Sequence, residues 1–107
     1  MADTFTYFDS LVQPATIPAD GILSRTLLDN DTVRLVVFQF AAGQILSEHT
    51  AAMPVVLQVL TGEATLTFGE ETREARAGAW AYMPARLKHS VTAKTELVLL
   101  LEMLKTR

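Results

Sequence analysis

The stretch Val55 to Phe68, VVLQVLTGEATLTF, decides how this chain folds. Its apolar residues follow a period of two, which is the repeat of a strand and not of a helix. Val55 to Leu60 and Ala64 to Phe68 read as two short strands. Thr61-Gly62-Glu63 between them reads as a hairpin turn, because Gly62 can take a positive φ with no Cβ penalty. Downstream, Phe68-Gly69-Glu70-Glu71 repeats the device before a strand at Thr72 to Arg76. Ala77-Gly78 then opens Ala79 to Met83, and Pro84 ends it by removing a backbone donor. His89 to Ala93 and Glu96 to Met103 complete the series. The Leu-rich end would favour a helix in isolation, but it has no convincing N-cap followed by a polar stripe, so strand is expected.

Upstream, Thr32 to Phe40 (TVRLVVFQF) carries apolar residues on both faces, as a strand covered by two layers should. Gly21 to Leu28 is a further strand, ended by Asp29-Asn30-Asp31, residues that bond their own backbone. Pro14 and Pro18 make the first twenty residues edge pairing or extended coil. Many short strands at close spacing indicate an all-β sandwich or barrel.

Composition narrows the function. The chain has 107 residues, 50% of them apolar, which is enough for one core and one domain. Lys and Arg total 9 against 12 Asp and Glu, a net charge of −3, and no basic cluster is present to neutralise nucleic-acid phosphates. With no cysteine, disulfides, thiol nucleophiles and thiolate metal sites are excluded. The Met1-Ala2-Asp3-Thr4 start lacks a basic flank and an apolar stretch, and the longest apolar block, Leu97 to Leu104, is too short to cross a membrane as a helix. A cytoplasmic domain is expected, with no nucleic-acid or membrane partner.

Chemistry rests on two histidines, His49 and His89. A neutral imidazole is the commonest biological metal ligand and the usual acid–base group near pH 7. Gly43 stands six residues before His49, and Gly62 thirteen after it; Gly78 is followed by Pro84 and then His89. This spacing resembles the two motifs of the cupin superfamily, G-x5-H-x-H-x3,4-E-x6-G and G-x5-P-x-G-x2-H-x3-N. The resemblance covers Gly43 to Ala93 and implies a cupin double-stranded β-helix, a jelly-roll-type barrel.

The departures bear on function. The resemblance implies a metal held by two His and a Glu of the first motif and a His of the second. Here the second His position is Ala51 and the Glu position is Val55, while Arg86 and Ala93 stand at the second motif's Gly and Asn. Two of four ligands remain, His49 and His89. A catalytic divalent ion normally takes three or more protein ligands. Two imidazoles with no carboxylate leave it largely hydrated and its charge uncompensated. The cofactor expected is therefore none, or a weakly bound divalent transition ion (Mn, Fe, Ni or Zn). Three residues could make up the deficit: Glu48, if its strand bulges; Gln58, an amide in an apolar strand; and Glu102, a carboxylate in a leucine run. A solvated strand face is the favoured place for all three, since carboxylates and amides are usually exposed.

A barrel of this size can hold one small ligand, and Phe38, Phe40, Met53, Leu57, Gln58, Trp80, Tyr82 and Met83 are its candidate lining. His49, His89 and Tyr82 are the candidate catalytic groups by acid–base logic. Three readings follow: a small-molecule-binding cupin barrel with weak or no metal, a metal-dependent cupin enzyme of dioxygenase or isomerase type completed by its substrate, and a metal-free His/Tyr epimerase-like enzyme. A single domain over 1–107 is expected, with 31–104 as the barrel and 1–30 as N-terminal strands that pair two copies. Phe5, Tyr7 and Phe8 would supply the apolar edge of that homodimer.

Overall fold

The computed structural model describes residues 4–12 and 19–105, and nine strands account for most of them. They are β1 (Ile22–Asp29), β2 (Val33–Phe40), β3 (Ile45–His49), β4 (Val55–Thr61), β5 (Glu63–Phe68), β6 (Glu71–Arg76), β7 (Trp80–Met83), β8 (His89–Ala93) and β9 (Leu97–Leu104). No helix occurs among the described residues, so the leucine-rich end is the strand its alternation requires. Eight of the nine follow the sequence reading to within one residue at either end. β3 is the additional one. The edge pairing or coil expected at Pro14 and Pro18 lies outside the described residues. Of the N-terminal strands expected over 1–30, β1 is the one found among the described residues.

The strands form two antiparallel sheets, β1-β2-β9-β4-β7 and β3-β8-β5-β6. Alternation sorts each strand's side chains into two sets. Phe40, Leu57, Val59, Met83, Leu97 and Leu99 from the larger sheet meet Ala64, Leu66, Val91 and Ala93 from the smaller one in a single core. On the opposite face of β2 and β9, Val37, Val98 and Leu100 form a second cluster, packed against Leu11 of the N-terminal segment. That cover explains why β2 is apolar on both sides. Where β1 turns into β2, Asn30 Oδ1 accepts from the backbone N–H of Thr32 (2.9 Å) and Val33 (3.0 Å), the self-bonding loop its residues imply.

The edges of the two sheets are β1, β7, β3 and β6. β6 and β7 are joined by only three residues, yet they do not pair; each is the last strand of its own sheet. The barrel is thus open along that side.

Candidate functional site

His89 begins β8, and its Cα partners are Phe68 on β5 and His49 on β3. Partners directly opposite on adjacent strands share a face, so both imidazoles lie on the same face of the smaller sheet. Their ring centroids are 4.2 Å apart and the planes are inclined by 60°. Forty residues of sequence therefore close into one contact.

An irregularity in β3 makes this possible. Leu46 pairs with Val91 and His49 with His89, so three steps along β3 match two along β8. Leu46 packs on the core, and strict alternation would send His49 to the opposite face. The extra residue of a β-bulge restores His49 to the side of His89, a re-aiming for which bulges are known. Ser47 and Glu48 carry the extra step, and both are exposed. The bulge on which a Glu48 ligand depended is present, but it delivers His49: among the described residues, no group of three His, Cys, Asp or Glu is placed to hold a metal.

Both rings are fixed in the same way. His49 Nδ1 is 2.8 Å from the carbonyl oxygen of Ser47, and His89 Nδ1 is 2.9 Å from that of Leu87. A carbonyl can only accept, so in each ring Nδ1–H is the donor and Nε2 keeps the lone pair. The two Nε2 atoms are the positions left for a ligand. His89 is 5% exposed, whereas His49 is exposed, so the pair opens to solvent on the His49 side. Burial lowers the pKa of His89 below the usual imidazole value; the Leu87 carbonyl opposes this, and the neighbouring His49 adds to it.

The positions where the cupin motif has its remaining ligands face the same interior. Val55 is 3% exposed within the core, and Ala51 packs against it. Arg86, at the motif's glycine, has φ +69° and donates its N–H to the Ala51 carbonyl at 2.8 Å. The loop keeps the left-handed backbone that a glycine would favour, while the ligands it would support are methyl groups. Two imidazoles without a carboxylate do not fit a resident divalent ion.

The other expected lining residues divide by face. Phe40, Leu57 and Met83 are core filler, at most 2% exposed. Phe38 is half-buried against them, its ring centroid 6.3 Å from that of Phe40. Met53 is half-buried in the loop before β4. Gln58, Trp80 and Tyr82 are corrections. Leu57 and Gln58 are consecutive, as are Tyr82 and Met83, so when Leu57 and Met83 point inward their neighbours must point outward. Trp80 and Tyr82 are 61% and 53% exposed, and Gln58 Nε2 donates to Glu102 Oε1 at 2.9 Å on that outer face. Neither Gln58 nor Glu102 joins the histidines, and Tyr82 is not their acid–base partner.

Sequence reading missed a cavity of about 420 Å³ on the open β6–β7 side. Its signal was a set of alanines, Ala75, Ala79 and Ala81, at positions where larger side chains would have filled the gap.

No protein-family model matches the chain, and neither does any curated protein. Solved structures do. A cupin superfamily protein from Desulfitobacterium hafniense is 25% identical, with 86% of this chain and 84% of that one aligned at a TM-score of 0.80. An RmlC-like cupin from Desulfovibrio desulfuricans is 22% identical over 94% and 97% of the two chains, with a TM-score of 0.83. Salicylate 1,2-dioxygenase from Pseudoaminobacter salicylatoxidans shares the fold alone: 20% identity, 85% of this chain and 26% of that one, TM-score 0.74. The two-sheet strand order, the motif glycines and these neighbours agree, and the fold of this chain is that of the cupin superfamily.

Proposed function

We propose that this protein binds a small organic molecule beside His49 and His89 and holds no resident metal. The observation that carries the reading is the contact of the two imidazoles, each with Nδ1 tied to the main chain and Nε2 left over. In the neutral rings both Nε2 atoms are acceptors, so the complement is a ligand that presents a hydroxyl or another N–H or O–H group. The methyls of Ala51 and Val55 replace two ligands and make the surroundings apolar, which favours an organic body over a hydrated ion. Phe5 and Tyr7 are 89% and 72% exposed, and we include in the reading a homodimer paired through this N-terminal edge.

A second reading has one observation in its favour. Histidines that ligate metals almost always donate the other ring N–H to a carbonyl, carboxylate or water, as these two do. In that reading the substrate supplies the missing oxygen donors.

Metal analysis and native mass spectrometry of protein purified without a His tag separate the two. We expect Mn, Fe, Ni and Zn together to stay well below one equivalent per chain, with any retained organic mass lost in His89→Ala. About one equivalent of a single metal, lost on His49→Ala, would contradict the proposal.

A further inference from the structure

We infer that the open side of the barrel, between β6 and β7, is a second binding site, for an uncharged apolar ring compound. It does not depend on the reading of the histidine pair, since neither histidine lines the cavity.

The cavity measures about 420 Å³, within the range of small-molecule sites. It exists because two free sheet edges stand apart and because the side chains between them are small. Its floor is Leu66 and Phe68 of β5, with Ala75 of β6, Ala79 of the turn and Ala81 of β7. Leu66 belongs to the buried core, and Phe68, Ala75 and Ala79 pack against it, so the cavity reaches the apolar interior. Trp80, 61% exposed, stands at its rim with its side chain on the outer face of the sheet.

The charges at the mouth set the ligand's class. Glu71, Arg73 and Glu74 also line the cavity. Arg73 is paired with Glu71 at 2.6 Å, and Glu74 accepts from Lys94 at 2.9 Å and from Thr65 at 3.1 Å. Each carboxylate already has its cation. A charged ligand would give up its hydration and find no unpaired opposite charge in return. An uncharged ring gives up little and gains the apolar floor.

Three transparent probes of one shape test this: adamantylmethanol, adamantanecarboxylate and adamantylmethylammonium. Trp80 is the chain's only tryptophan, so its emission reports on this site. The alcohol should shift the emission saturably and bind about tenfold or more tighter than either ion, a difference of about 1.4 kcal/mol. Ala75→Leu, which fills the floor, should weaken the alcohol at least about tenfold by the same measure. If that variant does not fold, the exposed pair decides: Arg73→Ala unpairs Glu71 and should shift preference toward the ammonium, and Glu71→Ala should shift it toward the carboxylate. Equal binding of all three probes, no saturable shift, or full affinity retained in a folded Ala75→Leu would overturn the proposal. An emission shift on raising protein concentration alone would overturn it too, since a second copy would then cover the cleft.

Discussion

Replacing Ala51 with His and Val55 with Glu together is expected to turn a poor metal site into a strong one. The affinity for a divalent transition ion should rise about a thousandfold or more, since even about 2 kcal/mol per added ligand multiplies to that factor. The expectation follows from where the two residues sit. Val55 is 3% exposed and pairs across the strands with Met83 and Met103, while Ala51 packs on the same core. Both lie on the interior that His49 and His89 border. The same burial supplies a second readout. A glutamate placed there without a cation is an uncompensated charge, and the metal-free double variant should be markedly less stable than the parent. Added Zn²⁺ or Mn²⁺ should restore the loss and make its melting temperature depend on metal concentration, whereas the parent should respond little. Calorimetric titration and thermal melts with and without metal measure both effects. A double variant that folds but shows no metal dependence would mean that the four side chains do not converge.

Gly62→Ala should be among the most damaging single substitutions in the chain. Gly62 has φ +89°, and a Cβ built there would lie 2.0 Å from the carbonyl oxygen of Glu96. The obstacle is backbone, so no side chain can swing away to relieve it. A left-handed backbone alone costs an alanine about 1–2 kcal/mol, and the overlap should bring the loss to about 3 kcal/mol or more. For a domain of this size that is a fall in melting temperature of about 12 °C or more. Gly78 provides the control. Its φ is +99°, but a Cβ there would meet nothing within 4 Å, so Gly78→Ala should cost only the backbone strain. Equal losses in the two variants, read from urea melts, would show that Gly62 does not approach the turn before β9 this closely.

Much of this architecture is legible in the sequence because it rests on local rules. A period of two, punctuated by Gly62, Gly69 and Gly78, gives strand and turn positions without tertiary information. β3 is harder. Its pairing with β8 contains a bulge, and within an extended segment no residue type marks which position will be the extra one. Facing is legible in principle, since Leu57 with Gln58 and Tyr82 with Met83 are neighbours that must point apart. Which member points inward depends on the opposite sheet. Aromatic character suggests Trp80 and Tyr82; the core takes Met83, and Ala81 lines the cleft. The meeting of His49 and His89 could be read only from motif spacing, because it depends on the pairing of strands far apart in the chain. The cleft between β6 and β7 has only three alanines as its signal, and their meaning depends on two sheet edges that stand apart.

Titration of the two histidines by NMR tests the central claim most directly, namely that these imidazoles meet in one partly buried site. Burial and the neighbouring ring both hold the His89 pKa below the ordinary 6.5, so its midpoint should lie below that value and move upward in His49→Ala. Stability should follow with a definite sign. The unfolded chain takes up the His89 proton more readily than the folded one, so the contribution is complete above about pH 6.5 and is lost as pH falls toward the folded pKa. The ring nitrogens should report Nδ1–H and a free Nε2 in the neutral form of each. A His89 that titrates at the ordinary value, with a midpoint indifferent to His49→Ala, would place the two rings apart and contradict the account.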